Sequence, residues 1–307
     1  MKPKIVISRC INFEATRYNG GIVKDEFAEK LGKFVDYITV CPEVEIGLGV
    51  PRDPLIVFKK GNDLRFLQEK TKMDLTDKIL NFSENFLNSL KDVDGFLLKK
   101  SSPSCGYSGT NVYYEKDGKR YVYRAKGLFA LKVEEKFPSI PIEDEGRLKD
   151  PEIKFHFLVR VFSFFELKNI IKDLNIKKLL EFHQNHKYLL MAYNQRALKN
   201  LGQILAGYNK KNLKEISSKY LENFYKAFSR KMNKKSNINV ILHIYGYFKD
   251  KINEKERKHF LNLVEKYKNE QIELNLIIEI LRNFALRFEN NYLLSQKYLN
   301  PFPEELY

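Results

Sequence analysis

The first half of the chain alternates short apolar runs with stretches of helical spacing. Lys4–Ser8, Tyr37–Val40, Leu55–Phe58 and Gly95–Lys99 are near-continuous apolar segments of four or five residues, the signature of strands buried on both faces. Between and after them, residues 23–31, 74–90 and 123–137 repeat apolar positions at helical intervals, with Asp25 and Glu26 near the start of the first. This alternation predicts an α/β domain with a mostly parallel sheet and helices on its faces.

The pattern changes after Phe137-Pro-Ser-Ile-Pro-Ile-Glu-Asp-Glu-Gly146, where two prolines and a glycine within ten residues suggest a linker. Beyond it, residues 166–174, 176–209, 211–229, 238–248, 254–269 and 272–288 all have helical spacing, and few strand signals remain. The expectation is two domains: 1–147, α/β, and 148–307, all-α and basic. No fixed-period repeat or low-complexity tract interrupts either.

Length and composition agree with this division. A chain of 307 residues, 43% hydrophobic and 30% charged, can build two soluble cores. No apolar run approaches the roughly 20 residues that cross a bilayer, and Met1-Lys-Pro-Lys4 is too short a lead for a signal peptide. Three cysteines form no disulfide framework, so a reducing cytoplasm is expected. The net charge of +15 is uneven: residues 1–150 hold 26 Lys and Arg against 23 Asp and Glu, and the remainder 28 against 16. A basic second half suggests a polyanionic partner, with a solvated lysine surface as the alternative.

The candidate chemistry lies where the strand-like runs stop. Cys10, Cys41 and Cys105 each follow one of them, and parallel strands end along one sheet edge, where ligands bind. Three distant thiols can meet there. They lack the close pairs of zinc ribbons and bacterial ferredoxins, and all five histidines belong to the second half. Three thiolates without an obvious fourth ligand suit a 4Fe–4S cluster with one open iron; zinc completed by a glutamate or water stays open, as do three inert buried thiols. Glu43, two residues past Cys41, is a candidate general acid/base or a helix-capping residue. Ser102 and Ser104 offer hydroxyls beside Cys105, and Gly106 permits close backbone approach. Arg17-Tyr18-Asn19-Gly20-Gly21 is a loop that could hold a phosphate, a base or a partner residue, or be an ordinary turn.

The motifs Ser8-Arg9-Cys10 with Arg17–Gly21, Cys41-Pro42-Glu43 with Gly47-Leu48 and Pro51-Arg52, and Ser102-Pro103-Ser104-Cys105-Gly106 resemble the thiouracil desulfidase (TudS-like) domain, in that family's order. The resemblance implies a 4Fe–4S cluster held by Cys10, Cys41 and Cys105, with Glu43 and Ser102 acting beside it and Glu45 and Ser104 as close rivals. The chain departs from the family pattern at Asn19, commonly Asp, and at Ile46, commonly Gly.

The second half is similar to a YbgA-type domain often fused to that one. The matching residues are Phe182-His183-Gln-Asn-His186-Lys187-Tyr188 running to Gln195, Leu201-Gly202, and His243-Ile-Tyr-Gly-Tyr-Phe248. Tyr292-Leu293, Gln296–Leu299 and Pro301-Phe302-Pro303 complete the match. Two-domain chains of this kind resemble the desulfidases that convert 4-thiouridine in transfer RNA to uridine. The implied substrate contacts are Arg17, Asn19, Gly20, Arg52, His183 and Lys187. On helical spacing His183, Lys187 and Asn194 would share a face. Arg230-Lys231, Lys234-Lys235 and the Lys249–Lys258 stretch would meet phosphates, and Tyr225, Tyr245 and Tyr247 could stack on bases. The expected activity is non-redox desulfuration of a thiolated uracil, most specifically 4-thiouridine in tRNA. Its rivals are a desulfidase of free thiouracil or thionucleotides, and an RNA-binding protein whose cluster is structural or redox-sensing.

Overall fold

The computed structural model describes residues 1–209 and 212–307. Clustering of contacts divides the chain into two units, Met1–Val161 with Glu305–Tyr307, and Phe162–Glu304.

The first unit opens with β1 (Lys4–Ser8), α1 (Glu26–Leu31), β2 (Asp36–Val40), α2 (Pro42–Glu45), β3 (Leu55–Lys60), β4 (Asp63–Gln68) and α3 (Thr76–Ser89). It continues with β5 (Gly95–Leu98), β6 (Thr110–Lys116), β7 (Lys119–Ala125), α4 (Leu128–Lys136) and β8 (Ile142–Asp144). The α/β class expected from the sequence is what forms. Its first sheet is wholly parallel in the order β2-β1-β5-β8, with Ile5 opposite both Tyr37 and Gly95. Chain order departs in opposite directions from β1, so the crevice beyond β1 and β5 is a topological switch point. The residues expected as a linker supply β8 instead: Ile142 pairs with Phe96 and is buried.

A second sheet, β4-β3-β6-β7, was not legible in the sequence. Leu55–Phe58 belongs to it rather than to the parallel sheet, and residues 110–125 form a β6–β7 hairpin whose last three residues, 123–125, were expected to begin a helix. The two sheets share helices. Val6, Phe96 and Leu98 pack with Leu87 of α3 and with Phe129 and Val133 of α4. Val57, Phe66 and Val112 pack with Ile79 of α3 and Leu128 of α4. Non-polar burial of this kind contributes roughly 25 cal/mol per Å² and fixes both sheets to one pair of helices.

The second unit is helical, as expected. It comprises the second half of α5 (Pro151–Lys172), then α6 (Ile176–Asn185), α7 (Lys187–Ala206), α8 (Leu213–Ala227), α9 (Lys234–Tyr245), α10 (Glu254–Lys268), α11 (Leu274–Arg287) and α12 (Asn291–Leu294). The segment 176–209, expected as one helix, breaks at His186, which caps the end of α6 and the start of α7. Inside α7, Asn194 leaves the helical region (φ −161°, ψ 96°) and its side chain accepts from Ala197 N at 3.0 Å, so it acts as an internal N-cap. The expected start of a helix at Lys211 lies outside the described residues. Among the described residues, no helix is long and apolar enough to cross a membrane.

Candidate active site

The three cysteines follow three neighbouring strands of the parallel sheet. Cys10 lies two residues past β1 in a turn closed by Ile11 N to Ser8 O at 2.8 Å. Cys41 directly follows β2 and caps α2. Cys105 lies beyond β5 in the Ser102–Gly106 loop, which is tied to the first turn of α4. Gly127 N donates to Gly106 O (2.7 Å), Leu128 N to Pro103 O (3.2 Å) and Ala130 N to Ser104 O (3.2 Å). These are amides that a helix start leaves without internal partners, so the loop supplies their acceptors. A Cβ on Gly127 would stand 2.4 Å from Ser104 O, and one on Gly106 2.6 Å from Ser102 O; both positions need glycine for this approach.

All three thiols are buried and free. Burial pushes Cys10 up to about 12, with the Cys41 thiol adding to the effect and the Lys99 ammonium opposing it. Burial likewise raises Cys105 well above an ordinary thiol; a Ser8 hydrogen bond opposes this, while Cys41, Cys10 and Glu43 reinforce it. Cys41 thus lies close enough to bear on both other thiols. Among the described residues, no group of three or more His, Cys, Asp or Glu is arranged to hold a single metal ion. Thr16 adds a second feature: its carbonyl is 3.9 Å from Cys41 Sγ, and its own buried Oγ1 has no hydrogen-bond partner.

Glu43 is buried beside the thiols, and its two oxygens have separate partners. Oε2 accepts from Arg52 Nε (3.0 Å) and Nη2 (2.5 Å); Oε1 accepts from Ser104 Oγ (2.6 Å), with Ser102 Oγ at 3.4 Å. The two serine hydroxyls are 3.1 Å apart, and Ser102 Oγ also accepts from Cys105 N at 3.1 Å. Arg52 is turned inward, its side chain 5% exposed, and it donates further to Thr16 O (2.9 Å) and Gly49 O (3.3 Å). The Arg17–Gly21 loop joins the site through Arg52 N, which donates to Tyr18 O at 2.8 Å. Within it Asn19 Oδ1 accepts from Gly21 N, and Gly20 takes the positive φ (72°) that the turn needs. Glu45 is occupied by Arg9.

Sequence reasoning missed a second charged pair. Lys99, at the end of β5, pairs with buried Glu145, whose other oxygen accepts from Lys100 N at 2.6 Å; Lys99 N donates to Ser8 Oγ at 2.9 Å. A strand-final Lys-Lys reads as solvent-facing, and no local signal marks it otherwise. Gly127 was missed for the same reason, because its constraint comes from a loop more than twenty residues earlier.

In the helical unit, His183 and Lys187 fall on separate helices, so the single face expected for them with Asn194 does not form. His183 Nδ1 meets Tyr220 Oη at 3.0 Å, and burial lowers its pKa. Lys187 lies over the Tyr188 ring. Tyr225 stacks on Phe164 and Tyr245 on Phe260, which makes both packing residues; Tyr247 is exposed. Lys234 pairs with Glu270, while Lys249, Lys251, Lys255, Arg257 and Lys258 are at the surface.

A parallel α/β sheet with thiols and a buried carboxylate–serine set at its switch point defines a site of enzymatic type, followed here by a helical region. The 2-thiouracil desulfurase model matches residues 5–145, and the model of a protein of unknown function, DUF1722, matches residues 187–303. The chain belongs to the 2-thiouracil desulfurase family and is an enzyme of that desulfidase class. It is 30% identical over 119 residues to the uncharacterized protein YbbK of Bacillus subtilis, spanning 34% of this chain and 78% of that one. It is 24% identical over 148 residues to the uncharacterized protein YbgA of Escherichia coli, spanning 48% of this chain and 88% of that one. Among solved structures it is similar to the 4Fe–4S-dependent thiouracil desulfidase TudS, at 27% identity over 50% of this chain and 97% of that one, with a TM-score of only 0.39.

Proposed function

We propose that the chain hydrolyses the carbon–sulfur bond of a thiolated uracil, with 4-thiouridine in transfer RNA as substrate and uridine and hydrogen sulfide as products. Water supplies the new carbonyl oxygen and the two hydrogens of the sulfide, so no electrons change hands. The observation that carries this reading is Glu43, divided between Arg52 and Ser104 next to three buried thiols.

Cys10, Cys41 and Cys105 are the proposed ligands of a 4Fe–4S cluster. The donor set fits: three buried thiols are soft donors, and Thr16, whose carbonyl meets Cys41 Sγ, also carries a buried hydroxyl without a partner. Bound there, the cluster would supply a soft Lewis-acidic iron for the substrate sulfur. The remaining roles belong to protein groups. Glu43 Oε1 holds and deprotonates the attacking water, and Ser104 Oγ fixes the direction of that oxygen. Arg52 holds the carboxylate in place through two hydrogen bonds to Oε2, acting as a positioning residue. Ser102 anchors the amide of Cys105 and brings a second hydroxyl to the substrate side. Arg17, Asn19 and Gly20 form the rim against which the base is held. For the RNA, the basic second half supplies phosphate contacts, including Lys187 and the surface cations at 249–258, while His183 contacts the nucleotide.

The test is anaerobic reconstitution followed by nucleoside analysis of treated tRNA. Loss of 4-thiouridine with matching uridine and sulfide is expected. Unchanged 4-thiouridine in protein that keeps its iron–sulfur absorbance would sink the tRNA reading, and turnover of free thiouracil by that sample would establish the free-base alternative.

A further inference from the structure

The β6–β7 hairpin carries a feature that the cysteine site does not use. Every residue of β7 from Lys119 to Arg124 is exposed, and β7 is the terminal strand of its sheet. Pairing places Tyr114 opposite Tyr121, Val112 opposite Tyr123 and Lys116 opposite Lys119. Because side chains alternate, these residues share one face. Val112 is buried under α3 and α4, and the hairpin runs on past that cover. What it presents is a stripe of three tyrosines ending in two lysines. Tyr121 and Tyr123 are 42% and 39% exposed, and Tyr114 contacts both rings, at 5.4 and 6.0 Å between centroids. The opposite face carries Arg120, stacked 4.0 Å over Tyr113, and Arg124.

Charge follows the same outline. The four strands of this sheet hold seven Lys or Arg against two Asp or Glu, so the rest of residues 1–150 holds nineteen against twenty-one. The net positive charge of the first half is thus confined to this sheet. Edge lysines alone would explain protection from strand-to-strand aggregation. They do not explain exposed tyrosines aligned with them. Aromatic rings in register with cations match the chemistry of unpaired bases on a phosphate chain: rings stack on bases and lysines meet the backbone.

We propose that the β6–β7 hairpin is a docking surface for looped, single-stranded RNA, with Tyr114, Tyr121 and Tyr123 as the stacking platform and Lys116 and Lys119 as phosphate contacts. This inference rests on the reading of an RNA substrate. It adds a contact on the desulfidase domain itself, separate from the basic helical region. A flat sheet cannot enter the deep, narrow major groove of duplex RNA, so preference for an unpaired loop follows.

The test titrates the full chain into a labelled RNA stem-loop, and into the same sequence as a perfect duplex, by fluorescence anisotropy. Alanine at both Tyr121 and Tyr123 should weaken stem-loop binding by roughly tenfold per ring, while Y121F with Y123F should bind as the unsubstituted chain does. Lys119→Gln should reduce the slope of log affinity against log salt by about 1. Undiminished binding by the alanine variant, preference for the duplex, or a self-association lost in that variant would each overturn the proposal. Absence of RNA binding by the unsubstituted chain would overturn it too; turnover of free thiouracil by that same chain then decides whether the desulfidase reading stands without it.

Discussion

Ser104 Oγ donates to Glu43 Oε1 at 2.6 Å, joining a loop to helix α2 across 61 positions of the chain. The hydrogen bond spans the switch point, because Glu43 follows β2 and Ser104 follows β5, on either side of β1. It leaves Oε2 to Arg52 alone. A carboxylate so divided has one oxygen committed to structure and one facing chemistry. Glu43→Gln should keep the iron–sulfur absorbance and lower desulfuration by about 10²- to 10⁴-fold, the usual worth of a positioned base. Ser104→Ala should produce a smaller loss. Single-turnover assays on thiouracil check both, and full activity in Glu43→Gln removes Glu43 from the reaction.

Arg52 makes the complementary case. Its partner carboxylate is buried, so Arg52→Met leaves an unpaired charge and should destabilise the first unit by about 3–5 kcal/mol. Joining Arg52→Met to Glu43→Gln removes both charges and should recover most of that loss. Urea denaturation of the four members of this cycle measures the coupling. If the double variant is no more stable than the single, the ion pair is not what Arg52 contributes.

Gly127→Ala should behave as a site mutation, although it lies outside every cysteine motif. The added methyl would press on Ser104 O and Pro103 O, moving the loop that carries Cys105. A stability cost of about 1–3 kcal/mol is expected, together with slower cluster reconstitution than Gly207→Ala, where a Cβ meets only ordinary contacts at 3.5 and 3.9 Å. Equal reconstitution rates would show that the loop tolerates the shift.

The second unit should be sensitive to acid. His186 is buried against the Phe182 ring, with Nδ1 2.9 Å from Phe182 O and Nε2 3.3 Å from Ser163 Oγ. Burial lowers its pKa from 6.5 to about 3, so the folded protein keeps it neutral. The unfolded chain takes up a proton below pH 6.5, hence stability is lost as pH falls from 6.5 towards 3. The slope is up to about 1.4 kcal/mol per pH unit, roughly 2 kcal/mol by about pH 5. Thermal unfolding of the full chain across this range should show that slope, and His186→Gln should flatten it. Identical slopes would assign the acid response to other groups.

The placement of the three cysteines could be read from sequence because they follow continuous apolar runs, the mark of β1, β2 and β5. The second sheet was hidden by its own chemistry. β7 reads Lys-Arg-Tyr-Val-Tyr-Arg-Ala, exposed on both faces, so neither apolar continuity nor alternation marks it as a strand. Residues from Tyr123 onwards then merged with the true helical spacing of α4, although Gly127 divides the two. The unbroken helix expected over 176–209 failed where polar residues cap: His186 and Asn194 lie within an amphipathic pattern whose apolar positions continue regardless. Lys99 and Glu145 could not be paired in advance, since only the β5–β8 register brings them together.

The parallel sheet is also a condition on when the site can exist. Cys10 and Cys105 follow strands whose residues pair across some ninety positions, Ile5 with Gly95 and Ile7 with Leu97. A slip of one residue between them would reverse which face each side chain takes. Parallel pairing at that separation is also among the slower events of folding. No fragment that stops before Cys105 contains all three thiols. The three strand ends therefore share one sheet edge only in a chain that has committed to its native pairing.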